Sequence, residues 1–285
     1  MFKSILVPIS SEFYSKNVIE RCIFLAEKFK SNIKLIYIIE TKTLDQTDKI
    51  SDEYRTQYEI EETKDEIIRR QKQTADDIIF DEAKYYFESK KIPFESQIIE
   101  GEFSKVVKIE TSKKDYDLIL MGFEKECILN YRLLDNVEIP VWLEGEGKGK
   151  SILAVLSNLA PNQKVPEISL KLSKKLGWTL HMLYVVDVED SVEVDEQGIR
   201  SDKKPLRDLI FKGQSYVDEM KKNGANIELV KGSLEKETTR FAENINPNLV
   251  IVGREQKKKG ILGLPTKNVK RKIAETCQYS ILFIN

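Results

Sequence analysis

Lys3-Ser4-Ile5-Leu6 recurs as Lys150-Ser151-Ile152-Leu153, and Ile36-Tyr37-Ile38-Ile39-Glu40 recurs as Leu183-Tyr184-Val185-Val186-Asp187, both 147 positions later. Ile98-Ile99-Glu100-Gly101 matches Leu229-Val230-Lys231-Gly232 at an offset of 131. Asp117-Leu118-Ile119-Leu120-Met121-Gly122 matches Asn248-Leu249-Val250-Ile251-Val252-Gly253 at the same 131. Pro140-Val141-Trp142-Leu143 corresponds to Ser280-Ile281-Leu282-Phe283 at 140. Matches in one order along the chain mark a tandem duplication. The changing offsets give the first half 16 extra residues between its second and third strands, and 9 fewer between its fourth and fifth.

The segment Glu144-Gly145-Glu146-Gly147-Lys148-Gly149-Lys150 alternates glycine with charge, which suits an exposed linker. It divides the chain into residues 1–146 and 147–285, and 285 residues fit two domains. In the second half, short apolar runs at 151–156, 179–186, 226–231, 249–252 and 280–284 read as strands. Val165–Leu176 and Leu206–Lys222 carry apolar residues at helical spacing. Apolar strands alternating with helices predict, in each half, a five-stranded parallel sheet sandwiched by helices. In such α/β sheets ligands bind outside the carboxyl ends of the strands.

Order and spacing of these strands resemble the universal stress protein (UspA-like) family in its tandem form. The carriers are Ile5-Leu6-Val7-Pro8-Ile9, Leu183-Tyr184-Val185-Val186-Asp187, the strand ending in Gly253, and Ile281–Ile284. The resemblance implies two Rossmann-like (adenine nucleotide alpha hydrolase-like) domains that pack as a pseudo-dimer through their last strands. It implies a stress-response role, and ATP binding in some members. In ATP-binding members an Asp ends strand one, where this chain has Ser10 and Ser157. A serine hydroxyl can hydrogen-bond a base but supplies no anionic acceptor.

The family's phosphate loop reads Gly-x2-Gly-x9-Gly-(Ser/Thr), its glycines letting backbone N–H groups approach phosphate. In the first half, Gly122 is followed by Phe123-Glu124-Lys125-Glu126-Cys127 and the loop is deleted, so ATP binding is expected to be lost there. In the second half the loop is degenerate. Gln256 replaces one glycine and Lys267-Asn268 stands for the Gly-Ser pair, while Gly253, Gly260 and Gly263 remain. Ser157, Gly253, Gly260, Gly263, Lys267 and Asn268 are therefore the candidate residues for ATP or another phosphate-bearing ligand. Asn268 would cap the last helix and Lys267 would compensate charge.

With 46 Lys+Arg against 47 Asp+Glu, the net charge of −1 excludes a globally basic nucleic-acid binder. Charge is nevertheless unevenly spread. Arg254, Lys257, Lys258, Lys259, Lys267, Lys270, Arg271 and Lys272 face a single acid, Glu255, within 254–272. The bland reading is a solvated loop and helix face; the sharper one is an anion site. Nucleic acid is not expected there, because the loop has no interleaved aromatics for base stacking. Asp187, Glu189, Asp190, Glu193, Asp195 and Glu196 form an acidic run, expected to be a flexible, solvated loop rather than a metal site.

The insertion lengthens a helical segment over residues 58–91, with a stripe of Ile60, Ile67, Ile68, Ala75, Ile78, Ile79, Ala83, Tyr86 and Phe87. One continuous helix there would measure about 50 Å and could contact a protein partner or a second copy. Cys22, Cys127 and Cys277 are too scattered for a disulfide framework and read as buried thiols. No apolar stretch spans a membrane and the N-terminus lacks signal-peptide zones, so a cytoplasmic protein is expected. His181 is the single histidine, and no Gly-x-Ser-x-Gly or Gly-x4-Gly-Lys-(Ser/Thr) motif occurs. These readings predict a non-catalytic interaction module with no cofactor. A nucleotide-binding switch or slow ATPase using Gly253–Asn268 is the alternative.

Overall fold

Strands whose side chains are apolar on both faces need cover on both, so parallel sheets form only where helices return between strands. A computed structural model describes residues 1–10, 16–40, 57–75, 80–122, 134, 137–197, 199–254 and 269–284 of the chain. It divides into two compact units, Met1–Val137 and Glu138–Asn285.

The first unit contains β1 (Ser4–Ser10), α1 (Lys16–Phe29), β2 (Asn32–Glu40), α2 (Gln57–Thr74), α3 (Asp81–Ser89), β3 (Phe94–Gly101), α4 (Phe103–Lys113) and β4 (Leu118–Gly122). Its strands run in the order β3-β2-β1-β4, all pairs parallel. The second contains β5 (Val141–Glu144), β6 (Ser151–Ser157), α5 (Lys164–Leu176), β7 (Thr179–Asp187), α6 (Leu206–Lys222), β8 (Ile227–Gly232), α7 (Leu234–Ile245), β9 (Leu249–Gly253), α8 (Val269–Thr276) and β10 (Ser280–Ile284). Its order is β5-β10-β9-β6-β7-β8. All its pairs are parallel except β5 with β10. Strands β4, β6 and β9 are buried almost throughout, while β3 exposes Glu95, Ser96, Gln97 and Glu100 and β8 exposes Glu228 and Lys231.

The two halves also repeat individual hydrogen bonds. Asp117 N–H donates to the Ser4 carbonyl at 2.9 Å, and its counterpart Asn248 N–H donates to Ser151 at 2.9 Å. Asn32 N–H reaches Lys3 at 2.8 Å, and Thr179 N–H reaches Lys150 at 3.0 Å. The α/β fold class expected from the sequence is the one observed.

By compactness, β5, the strand equivalent to the last of the first half, groups with the second unit, Glu138–Asn285, and the glycine linker follows it. The linker is not an open tether. Gly145 N–H donates to Ser280 Oγ at 3.1 Å, Glu146 N–H to Gln278 O at 2.9 Å, and Asn248 Nδ2 to Gly147 O at 2.8 Å. A Cβ on Gly145, Gly147 or Gly149 would lie 2.6 Å from Gln278 O, 2.7 Å from Pro247 O or 2.2 Å from Asn246 O. The glycines face backbone while Glu146, Lys148 and Lys150 face water.

The 58–91 segment is not one regular helix. Helices α2 and α3 flank residues 75–80, where Ala75 and Phe80 take the wider π-helical winding and are buried. Such winding shifts the phase of the side chains that follow. Phe87 is buried against Phe94, ring centroids 4.9 Å apart, and Lys90 pairs with Glu27 on α1 at 3.0 Å. The stripe thus covers its own unit, whereas Tyr86, assigned to it from sequence, is 40% exposed beside Tyr85 at 72%. Side chains of Ile60, Ile78 and Ile79 lie outside the described residues.

A buried polar chain ties β5 to β10. Trp142 Nε1 donates to Glu144 Oε2 at 2.9 Å, and Ser280 Oγ donates to the same oxygen at 3.0 Å. Removing a shared acceptor from a buried seam costs about 1–3 kcal/mol for each donor left unsatisfied. Glu144→Ala should therefore destabilise the second unit by about 2–4 kcal/mol, and Glu144→Gln, which keeps an oxygen, by much less. Both tryptophans, Trp142 and Trp178, lie in this unit, so urea unfolding followed by tryptophan fluorescence reads it directly.

Candidate functional site

The candidate site is the carboxyl edge of β6, β7 and β9. Strands β6 and β9 pair with Val155 opposite Val252, so Ser157 and Gly253 close adjacent strand ends. Ser157 is fully buried. Its hydroxyl oxygen accepts from Leu159 N–H at 3.1 Å, and its backbone N–H and carbonyl exchange bonds with the Asn162 carboxamide at 3.0 and 2.9 Å. Serine and asparagine side chains close turns on their own backbone in this way. The turn lays Leu159, Ala160 and Pro161, all buried, over the strand ends.

Gly253 has a reason to be glycine that involves no ligand. A Cβ there would sit 1.9 Å from the Pro161 carbonyl oxygen. The backbone approaching Gly253 is the protein's own. Gly260, Gly263, Lys267 and Asn268 lie outside the described residues.

Asp187, at the end of β7, is the hub of the edge. It is fully buried, and Oδ1 accepts from Glu189 N–H at 2.9 Å and Asp190 N–H at 2.8 Å. Oδ2 accepts from Leu234 N–H at 2.7 Å, at the first turn of α7. A carboxylate is favoured at a helix N-terminus because that end carries unsatisfied donors and positive partial charge. The first unit repeats the device. Glu40, its counterpart, is buried and accepts from Phe103 N–H at 2.8 Å, at the first turn of α4. The matched acids of the repeat therefore pin a strand end to a helix start.

The acidic run after β7 is a folded, ion-paired hairpin in which Asp187 is buried while Glu189, Asp195 and Glu196 are exposed, so of the expected solvated loop only those three acids face water. Asn158 Nδ2 donates to Val192 O at 2.8 Å, Val194 N–H donates to Asn158 O at 2.7 Å, and Asp187 N–H donates to Asn158 Oδ1 at 2.7 Å. Val192 and Val194 are buried beneath it, and Val194 bridges Arg200 in antiparallel fashion. Arg200 meets Asp190 at 2.5 Å, Lys236 meets Glu189 at 3.1 Å, and Glu193 takes both Lys204 and Lys212. Burial raises the Glu193 pKa, but hydrogen bonds from Lys204 and Lys212 outweigh it and hold the carboxyl below its ordinary range. Burial, with smaller contributions from Glu193 and Tyr216, pushes the Tyr184 hydroxyl up to about 12. Glu196 Oε2 accepts from Gln163 N–H at 3.0 Å, just ahead of α5. The bases that compensate this run stand 10 to 47 residues from their acids, which is why a local charge count overlooked them.

Charges of the basic segment that are described are engaged within the protein. Arg254 is buried with Nη2 on Ile139 O at 3.1 Å, Arg271 pairs with Glu275 at 2.8 Å and Lys272 with Glu235 at 3.4 Å. Lys270 is buried as well, while Lys257, Lys258, Lys259 and Lys267 lie outside the described residues. Among the described residues, no group of three His, Cys, Asp or Glu is placed to hold a metal ion, and no helix is long and apolar enough to cross a membrane. Cys22 and Cys277 are buried, burial pushing the first thiol far up and the second up to about 11. His181 is half-buried within β7.

The site residues that sequence reasoning missed are Asn158 and Asn162, and it misjudged Asp187. A Ser-Asn pair closing a strand and another Asn four residues on is a turn signature that could have found the first two.

The family model described as "Universal stress protein family" matches residues 1–138 and again residues 149–285. A putative universal stress protein from Pseudomonas aeruginosa UCBPP-PA14 is similar over 99% of this chain and 93% of its own, at 13% identity and a TM-score of 0.69. A universal stress protein from Archaeoglobus fulgidus DSM 4304 covers 99% and 96%, at 16% identity and a TM-score of 0.65. A functionally unknown protein from Pseudomonas aeruginosa PAO1 covers 99% and 92%, at 12% identity and a TM-score of 0.63. At these identities the structural likeness speaks for the fold alone. No curated protein matches the sequence.

Proposed function

Because the chain belongs to the universal stress protein family and holds two of its domains, we propose that it acts as a non-catalytic stress-response module working through protein contacts. ATP is not a resident ligand of either domain in this reading. The observation that carries it is the filling of the second unit's carboxyl edge by the chain's own Leu159, Ala160, Pro161, Val192 and Val194. Gly253 is pressed by Pro161, and the base-side hydroxyl of Ser157 is already engaged by its turn. The deleted loop after Gly122 supports the same reading for the first unit. For partner contact, the exposed Tyr85–Tyr86 pair on α3, rings 5.6 Å apart, is the favoured surface of the 58–91 segment.

Native mass spectrometry of the full chain tests this. The expected spectrum at millimolar ATP is that of the ligand-free protein. A stoichiometric ATP complex would favour a nucleotide-binding switch that uses the 253–268 segment, and would overturn the ligand-free part of the proposal. The same spectra report whether a second copy associates.

A further inference from the structure

The hairpin 188–204 is fastened differently from the elements around it. Its apolar anchorage is small, Val192 at 8% and Val194 at 5% exposure, where the neighbouring β6 and β7 bury whole rows of side chains. The rest of its attachment is polar. It comprises the two Asn158 bonds, Val188 N–H on Gly232 O at 3.1 Å, the Glu189 and Asp190 N–H bonds to the Asp187 carboxylate, the Glu196 contact ahead of α5 and the Glu189–Lys236 pair, while Asp190–Arg200 is internal to the hairpin. Glu193 adds a pair with Lys212 on α6, whose side chain is 64% exposed, besides an internal pair with Lys204. Internally the hairpin is well knit, with Ser201 N–H on Glu193 O at 2.8 Å, Lys204 N–H on Ser191 O at 2.7 Å and Asp195 N–H on Ile199 O at 3.0 Å. It leaves β7 at Val188 and rejoins the fold at α6 through Pro205, so rigid elements flank both ends.

We propose that residues 188–204 are a latched cover that opens as one piece while β6 and β7 stay folded, gating the carboxyl edge bounded by Ser157 and Gly253. Half-exposed ion pairs contribute little each and are screened by salt. Segments with few buried apolar contacts open at free energies well below global unfolding. Glu193, joined to Lys212 on α6, is the latch. Asn158 is the hinge-side tether, since it bonds both β7 and the cover. Opening would bare Leu159, Ala160, Val192 and Val194, the apolar strip that fills the edge in the closed form. The inference rests on that filled-edge reading of the site, but it holds whichever ligand or partner enters.

Hydrogen–deuterium exchange of the full chain without nucleotide tests it, so the ATP result stands apart from the outcome. Peptides covering 188–204 are expected to exchange faster than those of β6 and β7. Glu193→Gln should speed the cover by about two- to fivefold and leave β6 and β7 unchanged. Raised salt should act in the same direction. Lys212→Met, which removes the partner on α6, should reproduce the effect if Glu193→Gln does not fold. One common exchange rate for the cover and the two strands would overturn the proposal. So would latch variants that leave the cover's rate untouched or speed all three alike.

Discussion

Asp187→Ala is expected to destabilise the second unit by about 3–5 kcal/mol, the largest effect of any single substitution considered for this chain. Its carboxylate accepts three backbone N–H groups, one of them at the buried start of α7. Bonds to an ionised acceptor contribute roughly 1.5–3 kcal/mol each, and a buried donor left without a partner adds its desolvation penalty. Alanine would therefore release α7 from β7 and loosen the entry to the hairpin together. Asp187→Asn keeps one oxygen acceptor but turns an NH2 toward two of the donors or the third, so about half the loss is expected. Urea unfolding monitored by tryptophan fluorescence measures both. A metal-ligand role for Asp187 would predict the opposite pattern, with stability unchanged in the metal-free protein and lost only in its presence.

Gly253→Ala comes next, with about 2–3 kcal/mol expected. The added methyl would stand 1.9 Å from Pro161 O, and backbone cannot rotate aside as a side-chain tip can. Gly253 is not among the positive-φ glycines, so alanine there incurs no conformational strain and the loss isolates the close approach. The turn 157–162 would have to lift, weakening the Ser157–Asn162 exchange of bonds. If Gly253 served only to admit a phosphate, the ligand-free variant would melt like its parent. Thermal unfolding without nucleotide separates the two cases.

Much of the fold was legible in the sequence because the repeat fixed strand order twice over. Helix Leu206–Lys222 appears with the bounds its apolar spacing predicted, and the second half's strands agree to within a residue or two at each end. What remained hidden depended on partners distant in sequence. The linker's glycines read as freedom, yet each faces a carbonyl about 100 or more positions away or at the base of β10. The acidic run read as solvated because Lys204, Lys212 and Lys236 lie on the far side of the turn or on other helices. The stripe over 58–91 read as one phase because π winding at Ala75 and Phe80 leaves no mark in hydrophobic spacing. At the site, Gly253 was recognised as a residue that something must approach closely. Sequence could not tell a phosphate from a proline carbonyl.

The antiparallel pairing of β5 with β10 bears on how the chain is made. Leu143 joins Ile281 and Val141 joins Phe283, so the edge of β5 that receives β10 waits for residues emerging some 140 positions later. At about 5–20 residues per second, that wait is on the order of ten seconds, with Val141, Trp142 and Leu143 already synthesised. An unpaired apolar edge is where a nascent chain meets its neighbours on the same message. The charges that follow at Glu144, Glu146, Lys148 and Lys150 would guard it through that interval, as flanking charges guard other obligatory hydrophobic strands.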